Sequence, residues 1–352
     1  MKIVLYGVTG TLGQRLLQEA LRRRHTVIAV ARDTSQLTAQ GQHRRVVEGN
    51  SLDPHRVARV VARHDAIHGR FGVLRRHAGF ASHYVAPRHV DVWLPPHYQD
   101  TPSRRFPVIY MHDGQNLFDP QTSFLGLDWG IDEAMRGLTA AQRARAAIIV
   151  GIWNTPQRSQ EYMPQRPLEL HGRAQRARGH LGKGVARKPL SDRYLKFLLQ
   201  EVKPFIDEHY RTLADRGNTF IMGSSMGGLI SLYAVCEYPH VFAGAGCLSP
   251  HWPAAGGVVV DYLEQGLPEA GSHKLYFDYG TRTLDALYEP YQEQVDQVMR
   301  AKGYTKGEDW LTLKFEGAEH GERAWRERVH IPLEFLLGRG VKADQSAEMR
   351  RV

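Results

Sequence analysis

Residues 219–235 read TFIMGSSMGGLISLYAV, and this stretch decides the fold. The apolar run at 219–222 predicts a buried β-strand, and the apolar residues that recur after Met226 predict a helix. Between them, residues 223–227 read G-S-S-M-G and match the pattern G-x-S-x-G. A match to this pattern carries weight when a strand precedes it and a helix follows it, and both neighbours are present here. We therefore predict that Ser225 lies on a tight turn at the carboxyl edge of a sheet.

The chemistry of a serine nucleophile explains the glycines of this motif. Side chains two positions before and after the serine would collide with neighbouring elements, so Gly223 and Gly227 allow a tight turn. Such a turn exposes the Ser225 hydroxyl and directs the Met226 N–H, together with the helix N-terminus, towards a developing oxyanion. The alternative is a glycine-rich turn between a strand and a helix in which the serines are incidental.

A serine nucleophile needs a general base, and His320 is the candidate. It lies in FEGAEHGERAW, after a predicted strand that ends at Phe315 and before the last predicted helix. Proteins with this turn carry their residues in the order serine, acid, histidine, and His320 fits the last place. A solvated loop histidine is the alternative reading. His251 follows an earlier strand, and we expect it to shape the pocket or to be structural.

The acid should follow the penultimate strand, within KLYFDYGTRTLDALYEP at 274–290. Asp285 comes shortly after the Gly-Thr turn at 280–281, so its carboxylate is the first candidate to reach His320. Asp278 lies within the strand and is the second candidate, and Glu289 is the third. Each of them could instead be an ordinary surface carboxylate.

A second oxyanion donor should come from the loop after an early strand. The predicted strand VIYMH at 108–112 runs into D-G-Q-N at 113–116. The backbone amides of Gln115 and Gly114 are the candidates, with Gln115 first. An ordinary turn would also explain these four residues.

Short apolar runs alternate with segments of helical spacing along most of the chain. After residue 100, strands are predicted at 108–112, 147–152, 219–222, 242–248, 274–279 and 310–315, and helices at 195–210, 226–237, 284–299 and 325–337. This alternation predicts an α/β fold of the α/β-hydrolase type, with a mostly parallel central sheet and helices on both faces. An edge strand is predicted at 90–94, where two prolines end it. Residues 154–189 are long, polar and basic, and we predict a loop that shapes the substrate site.

The first part of the chain follows a separate pattern. Strands are predicted at 2–6, 26–30 and 45–47, each followed by a helical segment, and the alternation breaks after Asp65. We therefore predict three parts: a partial Rossmann-like βαβ segment at 1–66, an α/β-hydrolase domain at 67–338, and a polar tail at 339–352.

Composition excludes several classes of function. The 352 residues are 42% hydrophobic, with two cysteines and a formal net charge of +9. Two cysteines in apolar surroundings favour buried thiols over a disulfide scaffold. The sequence contains neither a CxxC nor an HExxH motif, so we expect no metal site. The positive charge is scattered, and its densest stretch, 171–188, lacks the aromatic interleaving of nucleic-acid modules, so we expect no nucleic-acid partner.

The sequence also argues against a membrane partner. No apolar run approaches the roughly 18–20 residues that span a bilayer, and the start, MKIVLYGVTG, does not resemble a signal peptide. We therefore expect a cytoplasmic protein that acts on a small molecule, and the sequence leaves its oligomeric state open.

Several motifs together resemble the branch of the α/β-hydrolases known as putative esterases, which includes enterochelin-esterase-like, feruloyl-esterase-like and esterase-D-like enzymes. The motifs are VIYMHDGQNLFD, SQEYMP, FIMGSSMGGLISLYA, YGTRTLDALY and GAEHGERAW, and they cover roughly residues 73–338. The resemblance implies hydrolysis of carboxylic esters without a metal by Ser225, His320 and an acid, with oxyanion donors at Met226 and Gln115. In one respect the chain departs from the pattern: some relatives place the acid directly after G-T-x, where this chain has Thr283.

The N-terminal sequence GVTGTLGQRLLQEALRRRHTVIAVARD resembles the start of an atypical short-chain dehydrogenase or epimerase-like Rossmann domain. Its glycines fit G-x-x-G-x-x-G between a strand and a helix, where a pyrophosphate can approach the helix N-terminus. The candidate NADP-binding residues are Gly7, Gly10, Gly13 and Arg32, with Asp53 near an adenine. Only about half of the fold is present and no Tyr-x-x-x-Lys motif is placed for hydride transfer. We therefore favour a non-catalytic remnant over dinucleotide binding.

These observations predict a serine carboxylic ester hydrolase that works through an acyl-enzyme, on short-acyl or aryl esters, and requires no cofactor. The candidate triad is Ser225, His320 and Asp285. The alternative functions are an NADP-binding oxidoreductase or nucleotide-binding regulator that uses residues 1–66, and a non-enzymatic binding scaffold.

Overall fold

The computed structural model describes part of the chain in two compact units, Met1–Val73 with Pro96–Pro102 and Leu74–Pro95 with Ser103–Val352. The backbone is described at residues 2–6, 22, 26–31, 44–48, 72–177 and 188–338, and the side chains at residues 22, 72–172 and 188–338. The predicted boundary at 66/67 and the predicted tail at 339–352 lie outside the described residues.

The smaller unit contains three parallel strands: β1 (Lys2–Tyr6), β2 (Thr26–Ala31) and β3 (Arg44–Glu48). They pair in the order β1-β2-β3, with Lys2 opposite Thr26 and Val27 opposite Arg44. The three strands predicted from the sequence are confirmed to within one residue. This is the arrangement of the first half of a Rossmann-like sheet.

The larger unit contains, within its described residues, an eight-stranded sheet in the order β11-β10-β9-β8-β6-β7-β5-β4. Its strands are β4 (Val73–Phe80), β5 (Arg88–Leu94), β6 (Val108–His112), β7 (Ile148–Ile152), β8 (Thr219–Ser224), β9 (Gly244–Leu248), β10 (Lys274–Gly280) and β11 (Trp310–Phe315). All pairings among the six strands β6 to β11 are parallel, whereas β5 runs antiparallel to β7. The predicted mostly parallel α/β sheet is therefore confirmed.

The four central strands β6, β7, β8 and β9 are buried along their whole length. Continuous burial is typical of parallel strands that helices cover on both faces. The helices are α1 (Ile131–Ala140), α2 (Arg158–Glu161), α3 (Gln165–Ala177), α4 (Ser191–Phe197), α5 (Lys203–His209), α6 (Met226–Glu237), α7 (Val258–Gly266), α8 (Glu289–Ala301), α9 (Glu322–Arg328) and α10 (His330–Leu337). In the described part of the chain, no helix is long and apolar enough to cross a membrane.

A strand does lie at 90–94, but the prediction that it is an edge strand was wrong, because β5 lies inside the sheet between β7 and β4. The two prolines that follow β5 end the strand, but the backbone N–H and C=O groups within the strand can still pair with both neighbouring strands. The edge belongs to β4, which reads VLRRHAGF and is exposed along much of its length. Charged residues on an edge strand discourage pairing with other chains, and the same charges hid β4 from the sequence pattern.

The loop predicted at 154–189 is also corrected, because α2 and α3 lie within it. Its polar residues pair with the body of the domain instead of facing water alone. Arg166 forms an ion pair with Glu237 at 3.1 Å, and its backbone N–H donates to the Tyr233 hydroxyl at 3.3 Å. These two contacts join the start of α3 to α6.

Substitution of Gly244, in the central strand β9, should destabilise the fold. A Cβ at Gly244 would overlap the carbonyl oxygen of Lys274 on β10 and lie 3.1 Å from its carbonyl carbon. We expect Gly244→Ala to lower the free energy of unfolding by about 1–3 kcal/mol or more in denaturant titrations. The matched control is Gly137→Ala, since nothing lies within 4 Å of a Cβ at this exposed position in α1. This variant should be neutral or slightly more stable, and equal losses in both variants would contradict the expectation.

Candidate active site

The turn that carries Ser225 joins β8 to α6 in a single residue. Ser225 has φ 57° and ψ −123°, a left-handed conformation that is costly for a residue with a side chain. Its N–H donates to the carbonyl of Leu248 on β9 at 2.9 Å, which fixes the turn against the neighbouring strand. The side chain is partly exposed at the carboxyl edge of the sheet, where the sequence placed it.

The glycines on either side of Ser225 are explained by close approach. A Cβ at Gly223 would lie 2.8 Å from the backbone of Gly227 and 3.0 Å from Cδ2 of His112. A Cβ at Gly227 would lie 3.4 Å from Cβ of His112, which is a milder contact. The first glycine is therefore required by the turn itself, and the buried ring of His112 forms the floor under both.

The structure brings Ser225, His320 and Asp285 into one hydrogen-bonded chain. His320 Nε2 lies 2.9 Å from Ser225 Oγ, although the two residues are 95 positions apart. His320 Nδ1 lies 2.6 Å from Asp285 Oδ1. The His320 side chain is 9% exposed and that of Asp285 is fully buried. The backbone N–H of His320 donates to Thr283 Oγ1 at 2.8 Å, so the residue in the acid position of some relatives here holds the histidine loop.

The second carboxylate oxygen of Asp285 is also fully engaged. Asp285 Oδ2 accepts hydrogen bonds from Ser249 Oγ and from the backbone N–H of Gly280, both at 2.6 Å. Burial alone would raise the pKa of Asp285, but the hydrogen bonds from His320, Ser249 and Gly280 hold this pKa below its ordinary value. Asp285 is therefore an ionised, immobile carboxylate behind the imidazole.

Asp278, the second candidate for the acid, has different partners. It is fully buried on β10 and accepts hydrogen bonds from Arg328 at 3.0 and 3.1 Å, from the Tyr276 hydroxyl at 2.9 Å and from the Ser249 N–H at 3.0 Å. Burial raises its pKa, and Arg328 opposes that shift. Of the three candidate acids, the structure thus joins Asp285 to His320.

Glu289, the third candidate, is held on the surface by a lysine. It forms an ion pair with Lys314 at 2.9 Å, and its side chain is 46% exposed. The same lysine also pairs with Glu316 at 3.0 Å. These contacts direct the Glu289 carboxylate to the outside of β11 instead of to the histidine.

The two candidate oxyanion donors lie at the carboxyl ends of the neighbouring parallel strands β6 and β8. Met226 is the first residue of α6, and Gln115 lies in a 3-10 turn at Gly114–Asn116. Backbone N–H groups in the first turn of a helix have no acceptor within that helix, so both amides are available to a ligand. A Cβ at Gly114 would lie 2.5 Å from the backbone of Gly151 on β7, which explains the D-G sequence.

An ion pair beside Gln115 went unrecognised in the sequence. Arg158 on α2 binds both carboxylate oxygens of Asp113, each at 2.7 Å, and Asn154 Nδ2 donates to the same carboxylate at 2.6 Å. Burial would raise the pKa of Asp113, whereas Arg158 and Asn154 lower it below its ordinary value. The pair ties the 113–116 loop to α2. Arg158 directly precedes the SQEYMP motif at 159–164, for which the sequence indicated no role.

The aromatic residues near these loops differ in burial. Trp129, Tyr162 and Trp252 are almost fully buried and pack beneath the site. Trp153 donates its indole N–H to Asp91 on β5 at 2.9 Å. The candidate nucleotide-binding residues Gly7, Gly10, Gly13, Arg32 and Asp53 lie outside the described residues.

Two families match the chain. The model of the family described as Putative esterase matches residues 83–329, and that of a family described as NAD(P)H-binding matches residues 7–78. The first match covers more than half of the 352 residues and contains the whole hydrogen-bonded chain from Ser225 to Asp285. The fold and the match define an α/β-hydrolase preceded by a Rossmann-like segment. The chain belongs to the Putative esterase family, and it is a carboxylic ester hydrolase.

The chain is also similar to individual proteins, one by sequence and two by structure. The Bacillus subtilis (strain 168) "Uncharacterized protein YbbA" is 25% identical over 266 residues, which are 74% of this chain and 96% of that protein. A solved ferulic acid esterase is 17% identical with a TM-score of 0.55, over 76% of this chain and 98% of that chain. An enterobactin esterase from Shigella flexneri, solved in the presence of 2,3-di-hydroxy-N-benzoyl-glycine, is 18% identical with a TM-score of 0.53. That match covers 75% of this chain and 59% of the enterobactin esterase.

The buried His112 under the turn should make stability depend on pH. Its Nδ1 lies 2.8 Å from the Tyr194 hydroxyl, and burial lowers its pKa from 6.5 to about 3. Below about pH 6.5, His112 is therefore protonated in the unfolded chain but remains neutral in the folded chain. The stability of the fold falls for this reason as the pH drops towards 3. We expect the free energy of unfolding, measured by urea titration at several pH values between 6 and 4, to fall less steeply with decreasing pH in His112→Gln than in the wild type. The difference between the two slopes against pH should be up to about 1.4 kcal/mol per pH unit. Parallel slopes for the two proteins would show that His112 is not held neutral.

Proposed function

We propose that this enzyme hydrolyses small-molecule carboxylic esters through an acyl-enzyme formed on Ser225. The observation that carries the proposal is the chain from Ser225 Oγ through His320 to the buried Asp285, with steps of 2.9 and 2.6 Å. A nucleophile, a base within hydrogen-bonding reach and a group that orients the base are the parts that covalent catalysis by serine requires. Ser225 lies on a strained turn of the kind known as a nucleophile elbow.

The reaction follows from these contacts. His320 Nε2 takes the proton of Ser225 Oγ as the oxygen attacks the ester carbonyl, and the amides of Met226 and Gln115 stabilise the oxyanion. His320 then gives the proton to the departing alcohol, which leaves an acyl group on Ser225. Water, deprotonated by the same imidazole, releases the acid. Asp285 keeps the proton of His320 on Nδ1 and stabilises the imidazolium when it forms.

Exposed apolar side chains support an ester with a short acyl or aryl group. Among the described residues, five large hydrophobic side chains are exposed, and four of them follow β6 or β10: Phe124, Leu125, Leu284 and Leu287. The same two loops carry Gln115 and Asp285. Neighbouring apolar side chains on a surface loop are typical of binding sites, and each of these two loops carries a pair. The names of two solved relatives, a ferulic acid esterase and an enterobactin esterase, are consistent with aromatic substrates.

The N-terminal segment has no step in this mechanism. We propose that hydrolysis needs no cofactor and that residues 1–66 are a partial, non-catalytic nucleotide fold. The alternative is that this segment binds NADP weakly, and the match to an NAD(P)H-binding family at 7–78 supports that alternative. Its candidate residues lie outside the described part of the chain, and the proposed steps at Ser225 use none of them.

Loss of the Ser225 hydroxyl should abolish catalysis. We expect Ser225→Ala to lower kcat for p-nitrophenyl acetate and butyrate by roughly 10³-fold or more, on the scale of other serine triads. The matched control is Ser224→Ala, one position earlier, where the side chain is 1% exposed at the end of β8. That variant should keep most of the activity. Hydrolysis at the wild-type rate by Ser225→Ala would exclude the proposal.

Substitution of the two buried carboxylates, Asp285 and Asp278, should have different effects on activity and on stability. Asp285→Asn should lower kcat by roughly 10³–10⁴-fold, because the histidine loses the partner that sets its tautomer. Asp278→Asn should mainly cost stability, about 3–5 kcal/mol, because it leaves the buried Arg328 without its carboxylate. Steady-state kinetics and denaturant titration of both variants check the assignment. If Asp278→Asn loses activity while fully folded and Asp285→Asn does not, the roles of the two carboxylates are reversed.

A further inference from the structure

A second histidine lies beside the candidate base and has no part in the mechanism above. His251 follows β9, and its backbone N–H donates to the carbonyl of Ser225 at 3.1 Å, so its position is tied to the nucleophile turn. Its ring centroid is 6.4 Å from that of His320. The side chain is partly exposed at the same edge of the sheet. It is therefore placed where a bound ester would meet it.

The buried hydroxyl of Tyr288 determines which nitrogen of His251 carries the proton. It lies 2.7 Å from His251 Nδ1 and 3.5 Å from His320 Nδ1. His320 Nδ1 faces the ionised Asp285 at 2.6 Å, so this nitrogen is protonated and cannot accept from Tyr288. If His251 donated to Tyr288, the tyrosine proton would have no acceptor among the described residues. Tyr288 therefore donates to His251 Nδ1.

The remaining proton of His251 is then on Nε2. Burial lowers the pKa of His251, and the neighbouring His320 and Arg158 lower it further, which favours the neutral ring. Burial also raises the pKa of Tyr288, which remains a phenol. No hydrogen-bond partner for His251 Nε2 is found among the described residues, and the half-buried ring leaves this atom open to a ligand. The result is a fixed N–H donor beside the serine.

The sheet order indicates which part of an ester this donor meets. Gln115, a candidate oxyanion donor, follows β6 on one side of β8, whereas His251 follows β9 on the other side. His320, which protonates the departing alcohol in the proposed mechanism, lies on the His251 side, since it bonds Asp285 after β10. An ester that directs its carbonyl oxygen to Gln115 thus presents its alcohol part to His251.

We propose that His251 Nε2–H donates a hydrogen bond to an oxygen on the alcohol part of the substrate, and that Tyr288 is the positioning residue that fixes this tautomer. The inference rests on the proposed function. It identifies the substrate class as esters of alcohols that carry a second oxygen next to the ester bond, as glycols, glycerol and sugars do. A neutral hydrogen bond of this kind favours such an ester over a hydrocarbon analogue by about threefold to tenfold.

Two esters that differ in one atom test the proposal with the full chain. In 2-methoxyethyl benzoate an ether oxygen replaces one methylene of n-butyl benzoate. The readout is the ratio of kcat/KM for the two esters, and the ratio in each variant is compared with that of the wild type, so that intrinsic reactivity cancels. His251→Phe should reduce this ratio threefold to tenfold. His251→Gln, which can accept from Tyr288 and still donate, should retain part of it.

The tautomer gives a second, independent readout. In ¹⁵N-resolved NMR spectra, His251 of the wild type should be protonated on Nε2, and Tyr288→Phe should produce a mixture of tautomers and part of the loss in the ester ratio. An unchanged ratio in His251→Phe, or a proton on Nδ1 in the wild type, overturns the proposal. Neither result touches the role of Ser225, whereas full activity of Ser225→Ala would remove the proposed function itself.

Discussion

Between β8 and α6 the backbone reverses within Ser225, whose positive φ costs on the order of 1–3 kcal/mol for a residue with a Cβ. The surroundings hold that conformation in place. The Ser225 N–H is bonded to Leu248 on β9, and the absence of a Cβ at Gly223 lets the turn close against Gly227. Because the turn is fixed from both sides, the serine hydroxyl has one position relative to the sheet edge, and every other contact in the site is built around it.

The acid is fixed by the core instead of by its own loop. Ser249 Oγ donates to Asp285 and accepts from Trp325 at 3.1 Å and from Arg328 at 2.7 Å, and Arg328 in turn is paired with Asp278. A chain of buried polar groups thus runs from β10 and α9 to the imidazole of His320. Within the described residues, Nη1 of Arg328 is the one nitrogen of this guanidinium without a hydrogen-bond partner. The remaining contacts hold Asp285 in one position, and a fixed carboxylate is what orientation of a general base requires.

The sequence was sufficient for features that depend on local pattern and insufficient for those that depend on tertiary pairing. The strand–turn–helix setting of Ser225 and the position of His320 after the last strand are local, and the structure places both as expected. Spacing after the Gly-Thr turn was enough to rank Asp285 before Asp278, but it did not encode why Asp278 is engaged elsewhere, which is its buried ion pair with Arg328. The helix α3 and the edge strand β4 were missed for the same reason, since their polar residues are stabilised by partners distant in sequence.

Whether Ser225 is the nucleophile can be decided by identifying the atom that an ester-like inhibitor modifies. A fluorophosphonate should react with the wild-type chain once, and peptide mass spectrometry should locate the adduct on Ser225. His320→Gln should slow labelling greatly, because the imidazole that takes the proton of the hydroxyl at 2.9 Å is replaced by an amide, which is not basic. An adduct on Ser224 or elsewhere, or rapid hydrolysis of esters by a chain that never labels, would contradict the account.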